Sequence, residues 1–274
     1  MTAAKSVGAE VIYLVVPSSA AVYPETVPSE YKAASGDTLY KAFSDVAISC
    51  GAKVLYPLDT MKAHKNDGDG YKIYSHTDSH WTTYGAYWGT YELMNYISST
   101  NSNFAKATPR SVADMGFYTV ELYGGDALFS FDTAVGFENK DLVDSNNGLT
   151  VKTKYKELTT LYSRVMPTDT LSAITRNKKS IYLNKANDAA ATFTNPNGNG
   201  LPSAVIVRDS FGRTPYDMIN DRFSKVTWLA ENDYTGVMDA TVKNKPNYVI
   251  YIISERNLLK VMLNNANVRL TNYK

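Results

Sequence analysis

The sequence predicts an α/β fold, a three-layer α/β/α arrangement around a five-stranded parallel sheet, with a partly β insertion. Three observations carry this. Five runs rich in β-branched residues lack polar alternation, at 10–16, 52–56, 204–207, 225–229 and 248–253, as strands buried on both faces do. Helical patterns at 38–50 and 215–223 separate the first two strands and the third from the fourth, the alternation expected of a parallel sheet with crossover helices. The stretch from about 101 to 200 departs from this pattern. There Gly124-Gly125, Asn146-Asn147-Gly148 and the Asn-Pro-Asn-Gly-Asn-Gly run at 195–200 punctuate strand-like pieces at 117–122 and 148–155. We therefore expect one domain over 1–274, with a partly β subdomain inserted at about 101–200.

The bulk numbers agree with one large domain: 274 residues suffice to bury a full core. Lys plus Arg is 28 against 27 Asp plus Glu, a net charge of +1. That balance gives no footing for nucleic acid or an anionic membrane surface. The single cysteine, Cys50, excludes an intrachain disulfide framework and a thiolate zinc cluster; within a helix-like run it is expected as a small buried residue. The first strand ends at Pro17 and its apolar part is short, so it reads as a strand rather than a signal peptide. With 21 Tyr against 9 Phe, and Asn, Ser and Thr crowding the middle of the chain, the composition suits carbohydrate contact and equally any polar loop region.

In open parallel sheets, ligands sit outside the carboxyl ends of the strands. Those ends here are Pro17-Ser18, Pro57-Leu58-Asp59, Arg208-Asp209-Ser210, Glu231-Asn232 and Ser254-Glu255-Arg256-Asn257.

Between the second strand and the next helix, after a polar stretch with Gly68 and Gly70, lies Tyr74-Ser75-His76-Thr77-Asp78-Ser79-His80-Trp81-Thr82, holding two of the chain's three histidines. Tyr84, Tyr87, Trp88, Tyr91 and Met94 then recur at helical spacing, with Thr82 or Thr83 placed to cap the start. In extended backbone Asp78 and His80 share a face, and a carboxylate beside an imidazole fixes its tautomer and stabilises the imidazolium. The plain alternative is a polar loop whose histidine caps the next helix. His76 falls on the same face, so His76, Asp78 and His80 could instead be metal ligands, with His64 the one histidine left to complete a shell. No metal and no cofactor is expected.

Ser210 follows a strand and precedes Thr214-Pro215, which reads as a helix start with Thr214 as cap. A serine on such a turn is lifted above the sheet edge, where backbone N–H groups near Gly212 can face an oxyanion. The alternative is that Asp209 and Ser210 are ordinary turn formers. After the last strand, Glu255 and Arg256 are expected as an ion pair, and Arg256 or Asn257 otherwise as a holder of an acyl or sugar oxygen.

Tyr74-x-x-Thr77-Asp78-x-His80-Trp81-Thr82-x-x-Gly85-Ala86 resembles the signature of the DHHW proteins and the AlgX/AlgJ alginate O-acetyltransferases, which are SGNH-hydrolase-like. Asp209-Ser210-Phe211 resembles their nucleophile block. The first strand ending in Pro17, the Asp59 region and Glu255-Arg256-Asn257 are similarly spaced, and Gly125-Asp126 matches loosely. Ser79 departs from the DHHW form, which has His there, while the Asp-x-His pair is kept. The resemblance implies an SGNH-like fold, circularly permuted so that Asp-x-His precedes the serine. It implies Ser210 as nucleophile with His80 and Asp78 as partners; around them Tyr74, Trp81, Phe211, Gly212, Arg256 and Asn257 are the candidate substrate or oxyanion contacts. It further implies transfer or hydrolysis of acetyl groups on a polysaccharide outside the cytoplasm, a leader or anchor having been removed. The partners would be a polysaccharide acceptor, an acetyl donor and a membrane-associated export or acetylation machinery. The rival expectation is a non-catalytic polysaccharide-binding or assembly protein, with Tyr74, Trp81 and Phe211 stacking on sugars.

Overall fold

A computed structural model of the chain describes residues 1–31, 38–68, 72–74, 79–104, 106, 117–123, 142–145, 148–158, 191–195, 198–220, 222–230 and 234–262. The first half runs α1 (Thr2–Ser6), β1 (Glu10–Val16), α2 (Ser19–Val22), α3 (Leu39–Ser49), β2 (Lys53–Leu55), α4 (Leu58–His64) and α5 (Thr83–Thr100). Then come β3 (Phe117–Tyr123), β4 (Leu142–Ser145), β5 (Gly148–Leu158) and β6 (Ala191–Thr194). The chain closes with β7 (Ser203–Arg208), α6 (Tyr216–Asn220), β8 (Lys225–Ala230), α7 (Tyr234–Asn244) and β9 (Tyr248–Ser254).

The main sheet has six strands in the order β2-β1-β9-β7-β8-β6. The five expected from the sequence are present and mutually parallel. The sixth, β6, is the difference: it pairs antiparallel with β8 and lies in the stretch expected as an insertion. Its sequence, Ala-Thr-Phe-Thr, hides it. At the sheet edge Phe193 is buried while Thr192 and Thr194 are exposed, so it lacks the continuous apolar run by which the interior strands announce themselves. Strands β3, β5 and β4 form a separate antiparallel sheet, with Ser145 opposite Gly148.

Strand side chains alternate between two cores, which makes three layers. Ile12, Leu14, Val16, Ile206, Ile250, Ile252 and Trp228 pack with Met61 of α4, with Tyr84, Trp88, Leu93 and Ile97 of α5, and with Ile219 of α6. Val11, Val15, Val205, Val207, Val249 and Ile253 pack on the other face with Ala4 of α1, Phe43 and Ala47 of α3 and Val237 of α7. Cys50 corrects one expectation. It sits at the C-cap of α3, one residue past the helix end at Ser49, and is exposed.

Candidate active site

Strand β7 ends at Arg208, and Asp209 continues the ladder by donating its N–H to Ile252 O at 3.2 Å. Ser210–Arg213 then forms a single 3-10 turn capped by Asp209, whose carboxylate accepts the Phe211 N–H at 2.9 Å. Thr214 has helical dihedrals, φ −65° and ψ −45°, and closes this turn as its C-cap, so it lacks the extended backbone of the N-cap expected there. The turn lies tight on the strand. A Cβ added at Gly212 would stand 2.4 Å from Arg208 Cβ, and glycine allows that approach. Arg208 is itself buried, its Nε donating to Tyr216 Oη at 2.8 Å.

The histidine segment reaches this turn from α5. Tyr74 and Trp81 pair as an isolated antiparallel bridge. Thr82 caps α5, accepting the Gly85 N–H at 3.1 Å, and its own N–H donates to Ile73 O at 3.0 Å. Gly85 is required by the same approach: a Cβ there would meet Ile73 O at 2.2 Å.

Two adjacent contacts then join the segments. His80 Nε2 lies 2.7 Å from Ser210 Oγ, and Trp81 Nε1 donates to Phe211 O at 2.9 Å. The His80 ring also packs on Phe211, centroids 4.8 Å apart. Both His80 and Ser210 are half-buried, seated on the core yet reachable. Such a pair can pass a proton from hydroxyl to imidazole and leave an alkoxide-like oxygen to attack a carbonyl.

The end of β9 completes the rim. Asp209 Oδ2 accepts from Ser254 N at 2.8 Å, Ser254 Oγ at 2.6 Å and Asn257 Nδ2 at 2.8 Å. Glu255 accepts the Ser18 N–H at 3.0 Å, tying β9 to the end of β1. Burial, with the Glu255 charge and hydrogen bond next, raises the Tyr56 hydroxyl above its ordinary range. Arg256 is exposed; it donates to Ser79 Oγ, beside His80, and its guanidinium covers the Phe211 ring at 5.1 Å.

Several expected roles change. Tyr74, Trp81 and Phe211 are core residues at 2%, 3% and 3% exposure; Tyr74 donates to Pro17 O. No ring face is left for the sugar stacking expected under the binding-module reading. Asn257 holds Asp209, and Arg256 bridges to Ser79. Of the backbone donors expected to face an oxyanion, Phe211 N–H is taken by the Asp209 carboxylate and Gly212 N–H by Asp209 O at 3.2 Å. Among the described residues, the Ser210 N–H is left without a hydrogen-bond partner. His64 pairs with Asp67 at 2.7 Å at the end of α4, so it is no companion to His80. Asp78, His76, Gly125 and Asp126 lie outside the described residues. Among those described, no three His, Cys, Asp or Glu side chains converge as for a metal, and no helix is long and apolar enough to cross a membrane. Asp209 and Ser254 join the site through partners that residue type alone does not show. The available signal is a carboxylate two residues past the apolar run at 204–207.

No curated protein matches the chain. Its fold is similar to Bacillus cereus PatB1 with sulfonyl adduct, at 18% identity over 94% of this chain and 85% of that one, TM-score 0.64. It is also similar to a DHHW family protein from Eubacterium siraeum, at 15% identity over 92% and 79%, TM-score 0.59. The O-acetyltransferase domain of Pseudomonas putida AlgJ is similar at 18% identity over 94% and 78%, TM-score 0.52. A family model described as ALGX, SGNH hydrolase-like domain, acetyltransferase AlgX, matches residues 2–141, which include the histidine segment and stop short of Ser210. That match takes in 140 of 274 residues, and the chain belongs to this SGNH hydrolase-like acetyltransferase family.

Proposed function

We propose that the protein moves acetyl groups through an acyl-enzyme on Ser210, as an O-acetyltransferase or acetylesterase acting on extracellular polysaccharide. The observation that carries this reading is the 2.7 Å contact between His80 Nε2 and Ser210 Oγ. His80 takes the hydroxyl proton as Ser210 Oγ attacks the acetyl carbonyl. The oxyanion forms beside the Ser210 N–H. Collapse expels the donor alcohol, which receives the proton from His80, and leaves acetyl-Ser210. A sugar hydroxyl or water then gives its proton to His80, attacks the ester and releases Ser210. Asp78, two residues before His80, orients the ring and stabilises the imidazolium. Transfer and hydrolysis share the first half and differ in which hydroxyl enters second. We place the activity outside the cytoplasm, with a polysaccharide acceptor, an acetyl donor and membrane-associated acetylation or export machinery as partners.

The test is turnover of a chromogenic acetate ester with labelling by a sulfonyl fluoride, a choice encouraged by the sulfonyl adduct of the PatB1 relative. Wild type is expected to turn over and to take one label on Ser210. Ser210→Ala should lose the label and about 10³-fold or more in kcat. Turnover that survives in Ser210→Ala, or that stops on chelation, refutes the mechanism. Absence of both turnover and label favours the non-catalytic binding protein.

A further inference from the structure

Asp209 directly precedes Ser210 and caps the turn that carries it. Asp209 is 3% exposed, and four donors converge on its carboxylate. Oδ1 accepts the Phe211 N–H at 2.9 Å. Oδ2 accepts Ser254 N at 2.8 Å, Ser254 Oγ at 2.6 Å and Asn257 Nδ2 at 2.8 Å. One oxygen therefore holds the turn that carries Ser210, and the other holds the end of β9. A buried carboxylate is stable when its lone pairs are filled by donors, and here every partner is a donor.

Turn formation needs less than this. A serine or asparagine at the cap would satisfy Phe211 N–H with one oxygen. What the second oxygen adds is a connection to a different strand. The Ser210 turn also touches β9 through the Asp209 N–H to Ile252 O bond, which any residue could make. The side-chain connection is specific to a carboxylate. We infer that Asp209 is the positioning residue of the site, fixing Ser210 against the end of β9 so that its hydroxyl meets the imidazole delivered on the histidine segment. This rests on the acetyl-transfer reading for its kinetic consequence, but its geometric consequence stands without it.

Asp209→Asn isolates the idea because it keeps the shape. An amide has one acceptor oxygen and two N–H donors. If the oxygen keeps Ser254 and Asn257, the NH2 group faces Phe211 N–H, donor against donor. If it keeps Phe211 N–H, the NH2 group faces three donors at β9. Either orientation releases one side of the clamp. With placement lost by about 1 Å, kcat is expected to fall about 10- to 100-fold, with KM within about two-fold of wild type. The fall should persist when rates are normalised to folded protein by thermal melt. A merely structural role predicts the opposite, full kcat per folded molecule.

Ser254→Ala serves where Asp209→Asn does not fold: it removes the Oγ donor alone and is expected to lower kcat several-fold at unchanged KM. Folded Asp209→Asn with kcat within about two-fold of wild type overturns the inference, as does Ser254→Ala with unaltered kcat if Asp209→Asn is unfolded. A crystal structure of Asp209→Asn, or of Ser254→Ala in its place, separates this failure from failure of the acetyl-transfer reading. Should wild type show no Ser210-dependent turnover, Ser210 Oγ displaced from His80 Nε2 beyond hydrogen-bond reach in the variant still supports Asp209 as the positioning group. A contact unchanged from 2.7 Å overturns it.

Discussion

Gly212→Ala tests the placement of the Ser210 turn from its other side. The new Cβ would stand 2.4 Å from Arg208 Cβ, 3.0 Å from Cγ and 3.1 Å from Cδ, where ordinary contact begins at 3.4 Å. About 1 Å must be found. Arg208 Cβ cannot supply it, because it is carried on β7 between β8 and β9. Nor does the rest of the side chain swing freely, with Nε bonded to Tyr216 at 2.8 Å. The turn has to lift instead. Overpacking of this kind costs about 1–3 kcal/mol, which for a domain of this size lowers Tm by about 2–10 °C. A shift of about 1 Å exceeds what a 2.7 Å hydrogen bond tolerates, and such a misplacement costs about 100-fold in rate. Thermal melts and chromogenic-acetate kinetics on the same preparation read both effects. Wild-type Tm with kcat within about two-fold of wild type would refute the close-approach argument. A lowered Tm with wild-type kcat would break the link between turn position and chemistry.

Two further predictions follow from contacts at the same rim. Trp81→Phe removes the donor that reaches Phe211 O at 2.9 Å and strands a buried carbonyl, at a cost of about 1–3 kcal/mol; urea unfolding should show the loss and kcat should fall with it, whereas unchanged stability would show the bond to be dispensable. Burial, with the Glu255 charge second, raises the Tyr74 hydroxyl well above its ordinary 10.0, and Tyr84 is raised by burial and by its bond to Asp67. The folded state holds these protons more tightly than the unfolded chain, so their contribution is level below about pH 10 and drains away as pH climbs from there. Urea midpoints should therefore be steady through about pH 9 and drop by about pH 11, with tyrosinate absorbance appearing as the protein unfolds; a flat midpoint would contradict the burial of these hydroxyls.

How much of the fold the sequence reveals depends on which face of each strand meets water. The interior strands β1, β7, β8 and β9 are apolar on both sides because two helical layers cover them, so their boundaries are legible to within a residue. β6 is covered on one side and runs at the edge, and a four-residue Ala-Thr-Phe-Thr stretch is indistinguishable from a loop. Cys50 failed for a related reason. Its neighbours obey helical spacing, but the helix ends at Ser49, so burial by periodicity does not extend to it.

The site divides along the same line between residue type and tertiary partner. His80 and Ser210 stand out in the sequence because imidazole and hydroxyl carry chemistry by themselves, and the structure brings them together. The role of Asp209 was hidden because an Asp after a strand is an ordinary turn former until Ser254 and Asn257 are seen on its second oxygen. Trp81 and Phe211 read differently for the converse reason: aromatic rings near a site suggest stacking on substrate, yet here they are buried and fasten the two segments together. The docking is in step, with His80 meeting Ser210 and the next residues, Trp81 and Phe211, meeting each other. One contact is polar and reachable; the other is buried and holds the register. Since the second can be weakened without touching either reacting atom, a Trp81→Phe loss of kcat beyond its loss of folded protein would show that the buried pair sets the distance of the reactive one.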